Sequence, residues 1–141
     1  MIHNDFNSFP KSGRILGIDW GAKRIGLAIS DSDQNFVFTR PIIATKNLDI
    51  SAIIKTEDPD GIIVGLPLRT DGTESETTAR VREFAAGLAT DLPILLFDES
   101  LTSFAAEEDN MERSRKKTEN LDSVAAKIML ENALAQIKRQ S

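Results

Sequence analysis

Cysteine is absent from the 141-residue chain, so disulfides and thiolate metal sites are excluded. Such a composition suits a reducing cytoplasm, the expected compartment. Also missing is any apolar run near the roughly 20 residues that cross a bilayer as a helix, so no membrane partner is expected. The opening residues, MIHNDFNSFPKSGR, lack the basic start and apolar stretch of a secretory signal, and 1–13 read as a flexible arm. The one histidine, His3, falls in that arm and signals no chemistry. Positive charge is in deficit, with 17 Lys and Arg against 22 Asp and Glu and a net charge of −5. Sequence-independent coating of nucleic acid rests on phosphate neutralisation by excess cations, so that class is excluded, while a local basic patch beside an acidic centre is not. There is no P-loop, zinc-ligand spacing or nucleophile elbow. No repeat, linker or low-complexity tract interrupts the chain, so 14–141 are expected to form one domain.

What is present is organised around Arg14 to Asp31, RILGIDWGAKRIGLAISD. Its two short Ile-rich runs, joined by a turn containing Gly and Lys-Arg, predict an antiparallel hairpin with Asp19 at the end of the first strand. Gly17 and Gly21 flank that carboxylate and would leave backbone uncovered for a metal or phosphate. Asn35 to Ala44 reads as a third strand at an edge, where Pro41 is tolerated. Ile50, Ile53, Ile54 and Glu57 are spaced for a short amphipathic helix that Asp58-Pro59-Asp60-Gly61 ends. The β-branched run Ile62-Ile63-Val64 predicts a strand covered on both faces. Thr73 and Glu76 have the spacing of a capping box, opening a helix that buries Val81, Phe84, Ala85 and Leu88. Pro93 to Phe97 is a further buried strand, stopping at Asp98-Glu99. Thr102 or Ser103 would cap a helix from about Phe104. A last helix, Leu121 to Ile137, has a broad apolar face with Asp122 in its first turn. This order predicts an α/β fold with a mixed five-stranded sheet, three antiparallel strands followed by two parallel ones, flanked by helices.

Binding crevices of parallel sheets lie at the carboxyl ends of the strands, where Asp19, Gly65 and Asp98-Glu99 all fall. Asp19, Glu99 and Asp122 brought together would repel one another unless hard cations neutralised them. Mg²⁺ or Mn²⁺ suits such a donor set. Two ions roughly 4 Å apart can activate water and stabilise the leaving oxygen of a phosphodiester, the chemistry of a nuclease. Glu99 can instead be solvated with Asp98 as ligand, and Asp122 can simply complement the helix dipole. Arg113, Arg115, Lys116 and Lys117 lie just before Asp122, and Lys23 and Arg24 in the hairpin turn, as candidate phosphate contacts. Trp20, the only tryptophan, either stacks on a base or packs beneath the hairpin.

The segments GIDWGAKRIGLAISD, VGLPLRTDGTESETTARVREF, FDESLTS and RSRKKTENLDSVAAKIML, in this order, resemble the YqgF family, also called RuvX. Its members are bacterial nucleases assigned to pre-16S rRNA and of Holliday-junction-resolvase type. The resemblance runs from about Arg14 to Leu134. It implies a ribonuclease H-like fold and metal-dependent phosphodiester hydrolysis, with Asp19, Glu99 and Asp122 matching the family's acidic positions. A cytoplasmic role in maturing the 5′ end of 16S rRNA is implied too. Two residues depart from the family: Ser100 stands where Arg usually follows the Glu, and Glu119 interrupts the basic run. Both remove positive charge from the expected phosphate track. A branched-DNA resolvase acting as a dimer and a non-catalytic RNA-binding assembly factor are the competing readings. A two-domain ATP-dependent phosphotransferase needs a longer chain. With no obvious self-complementary patch, a monomer or weak homodimer is expected.

Overall fold

The computed structural model describes residues 2–3, 6, 9–69, 71–98 and 123–139. Within these, six strands form one sheet: β1 (Ile2–His3), β2 (Ile15–Asp19), β3 (Arg24–Ser30), β4 (Val37–Ala44), β5 (Gly61–Leu66) and β6 (Ile94–Asp98), in the order β1-β6-β5-β2-β3-β4. β2, β3 and β4 are antiparallel neighbours, while β5 and β6 run parallel to β2. This is the mixed five-stranded ribonuclease H-like sheet expected, with one short strand added. The added strand is Ile2–His3, which pairs with β6, and Phe9 is buried at 2% exposure against the core. Phe6 meets the edge of Phe97 at 6.2 Å, so aromatic burial, invisible to a search for strand periodicity, holds the arm.

The helices are α1 (Ile50–Glu57), α2 (Glu76–Ala86) and α3 (Val124–Arg139). Alternation along the strands sorts the core into two layers. Ile15, Ala28, Ile63, Leu95 and Phe97 face α3, which buries Ala126, Met129, Leu130, Ala133, Leu134 and Ile137 against them. Leu16, Ile18, Leu27, Ile29, Ile62 and Val64 face the other way, with Val81 and Ala85 of α2. β5 is buried at every position, as a central strand covered on both sides must be. β4 lies at the edge, where the ring of Pro41 costs no pairing between central strands.

Two expectations shift. The α2 cap is Ser75, whose hydroxyl accepts the Thr78 amide, while Thr78 returns the bond to Ser75 N. Thr73 instead turns back to Asp71, donating from both N and Oγ1 to its carboxylate. Gly17 and Gly21 do not hold space open for a ligand. A Cβ on Gly17 would come within 3.0 Å of Leu130, so its bareness admits α3, and one on Gly21 would strike the Arg24 carbonyl at 2.5 Å, so its bareness closes the hairpin. The expected helix from about Phe104 lies outside the described residues.

Candidate active site

Asp19 ends β2 and is half-buried, paired in register with Gly26 of β3. Strand alternation turns it to the face that α3 covers, the face of Ile15 and Gly17. Gly26 lies between that acid and α3. A Cβ on it would stand 3.4 Å from Ala126 Cβ, 3.6 Å from Asp19 Cβ and 3.6 Å from Ser123 Cβ. The start of α3 therefore packs directly beside the acid of the opening hairpin, although more than a hundred residues separate them in sequence.

Ser123 fixes that start. It is 2% exposed, and its Oγ donates to the Arg40 carbonyl of β4 at 2.6 Å, while its own carbonyl accepts the Lys127 amide in the first helical turn. The register of β3 and β4 slips between the Ile25–Ile43 and Leu27–Arg40 pairs, so Arg40 borders an irregularity at Gly26. Bulges of this kind re-aim backbone near sites. From Arg40 the chain of contacts continues through the sheet. Its Nε and Nη2 donate to the two Glu57 carboxylate oxygens at 2.8 and 3.0 Å, and Arg14 Nη2 reaches the same carboxylate at 3.1 Å. The Arg40 hydrogen bond, with the Arg40 and Arg14 charges, holds the Glu57 carboxyl below its ordinary range despite partial burial, and Glu57 in turn raises Arg40.

Asp98 ends β6. Its parity is that of Ile94 and Leu96, which belong to the layer away from α3, so alternation turns Asp98 to the face opposite Asp19. Lys23 and Arg24 are exposed on the hairpin and its first β3 residue. Trp20 is half-buried and packs on Phe84 of α2, ring centres 6.3 Å apart, which makes it part of the hairpin's footing. Glu99, Asp122, Arg113, Arg115, Lys116 and Lys117 lie outside the described residues. Among the described residues, no three carboxylate or imidazole groups gather. Sequence reasoning missed Ser123 and Thr45. Ser123 carried a usable signal, a hydroxyl residue just before an apolar helical run.

Among the described residues no helix is long and apolar enough to cross a membrane. The sequence profile of the RuvX family, described as Holliday junction resolvase, matches residues 13–136. A protein of Maridesulfovibrio salexigens, provisionally named a pre-16S rRNA nuclease, is 47% identical over 86% of this chain and 98% of its own. One of Rhodopirellula baltica with the same provisional name is 38% identical over 91% of this chain and 80% of its own. Among solved structures, the Fowlpox virus resolvase in complex with Holliday junction DNA aligns over 90% of this chain and 98% of its own, at a TM-score of 0.47 and 14% identity. With the family profile spanning nearly the whole chain and relatives this similar along it, the chain belongs to the RuvX (YqgF) family.

Proposed function

We propose that the chain is a nuclease that hydrolyses phosphodiester bonds with Mg²⁺ or Mn²⁺, working in the cytoplasm on the 5′ end of pre-16S rRNA. The observation that carries this reading is the packing of Ser123 beside Asp19 across Gly26. Asp122 directly precedes Ser123 in sequence, which supports reading it with Asp19 as part of one acidic site. Glu99 directly follows Asp98 in sequence and is read as the third acid of the site.

The donor set fits the ions. A half-buried carboxylate, with further carboxylates next in sequence to Ser123 and Asp98, offers the hard oxygen ligands that Mg²⁺ prefers and no nitrogen or sulfur. Asp19, Glu99 and Asp122 would hold them. When bound, such ions lower the pKa of water and offset charge on the leaving oxygen. The chain's own residues do the rest. Asp19 fixes the origin of the site on a strand end, and the closeness of α3 keeps solvent from its sheet-facing side. Lys23, Arg24, Arg113, Arg115, Lys116 and Lys117 hold phosphates on either flank. The relatives' provisional name supports rRNA as substrate, and the family description supports branched DNA as its competitor.

Purified protein should cut precursor 16S rRNA in the presence of Mg²⁺ or Mn²⁺, and Asp19→Asn should lose turnover by orders of magnitude at unchanged melting temperature. Preferential cutting of four-way DNA junctions would favour the resolvase reading. Binding of the RNA with no cleavage of either substrate would overturn catalysis in favour of an assembly factor.

A further inference from the structure

A second basic element meets the hairpin beside Asp19. After β4 the chain makes a single 3₁₀ turn, Thr45–Asn47, closed by the Leu48 amide on the Thr45 carbonyl at 3.3 Å. Thr45 binds this turn to the hairpin at two points: its amide donates to the Lys23 carbonyl at 3.0 Å and its hydroxyl to the Gly21 carbonyl at 2.6 Å. Arg24 is paired with Ala44 in the β3–β4 ladder. Lys23 in the hairpin turn, Arg24 at the start of β3 and Lys46 in the 3₁₀ turn therefore lie on neighbouring backbone that the two Thr45 bonds and the Arg24–Ala44 pairing hold together. All three side chains are exposed, and within the described residues none is engaged in an ion pair. In a chain where acids outnumber bases by 22 to 17, three exposed cations on neighbouring segments of the hairpin region that carries Asp19 suit an external anion.

We infer that Lys46 completes a three-cation platform with Lys23 and Arg24 that grips the backbone phosphates of single-stranded nucleic acid running past Asp19. The inference rests on the nuclease reading and deepens it by adding a binding residue and a path. Thr45 acts through the other three as a positioning residue, since its bonds join two loops and its side chain carries no charge. A mobile lysine pair would lose entropy on gripping phosphate, and the bracing of this backbone lowers that cost.

The test is binding of a fluorescein-labelled single-stranded RNA 20-mer, in EDTA so that cleavage does not intervene, over a series of salt concentrations. Each phosphate contact on a single strand contributes about 0.7 to the slope of log affinity against log salt. Lys46→Ala should lower the slope by about 0.7, and Lys23→Ala, Arg24→Ala and Lys46→Ala combined by about 2. Thr45→Val should weaken binding severalfold with the slope kept, because no charge is lost. Lys55→Ala removes an exposed cation at the far end of α1 and should leave the slope alone. A wild-type slope in Lys46→Ala, in a protein that binds RNA, overturns the platform and leaves the nuclease reading standing. Failure of the wild-type protein to bind RNA in a salt-dependent way also overturns the platform, while the nuclease reading falls only if the protein cuts neither substrate with Mg²⁺ or Mn²⁺.

Discussion

At Gly26 the Cβ atoms of Asp19, Ser123 and Ala126 all lie within ordinary contact distance of one point, so the start of α3 comes near the acid. That Asp19 ends a strand was legible from sequence because the Ile-rich run stops there. Ser123 and Thr45 were not, since the hydroxyl of the first reaches a carbonyl 83 residues away and that of the second one 24 residues away, and no local pattern encodes such partners. Deleting the Ser123 hydroxyl leaves the Arg40 carbonyl short of a buried donor, so Ser123→Ala should cost about 1–3 kcal/mol in urea unfolding, with Ser123→Thr retaining part of it. Glu57 gives a prediction with a sign. The folded protein holds this carboxyl below its ordinary 4.5, so its contribution is complete above that value and is lost as pH falls through the folded pKa. At neutral pH Glu57→Gln should cost about 1–2 kcal/mol, its guanidinium partners being partly exposed. That gap to wild type should close as acid protonates Glu57. A gap unchanged from neutral to acid would contradict the assignment.

Among the elements, strands read most directly, because burial on both faces leaves continuous apolar runs such as Ile62-Ile63-Val64. Helix boundaries read less well. Thr73 with Glu76 has the spacing of a capping box, yet Ser75 with Thr78 takes the role because the Asp71 carboxylate captures Thr73 first. Ser75→Ala should therefore cost about 1 kcal/mol of stability, and Thr73→Ala should leave the α2 cap intact. α3 was expected from its apolar stripe, but its depth against β2 was not, since depth depends on what the sheet omits. Gly17→Val would drive methyl groups into Leu130, whose Cβ stands 3.0 Å from where the new Cβ would be. The expected cost is about 1–3 kcal/mol, read as a lower urea midpoint at unchanged slope. A neutral result would mean that α3 is free to move off the sheet.

In the molecule as a whole, the strand order brings the carboxyl ends of β2, β5 and β6 side by side, with α3 starting beside the first of them. The mixed sheet was legible from the order of elements, because hairpin-length connections impose antiparallel pairing and helical crossovers impose parallel pairing. The sixth strand was not, because a two-residue pairing anchored by Phe6 and Phe9 has no period to detect. Parity also separates the two neighbouring acids at the end of β6, turning Asp98 away from Asp19. The most direct measurement of the proposed site is anomalous diffraction from crystals soaked in Mn²⁺. One or two peaks within coordination distance of the Asp19 carboxylate, shared with Glu99 and Asp122 and absent from Asp19→Asn crystals, are the predicted result. Peaks coordinated elsewhere, in crystals of protein that still cuts RNA, would contradict it.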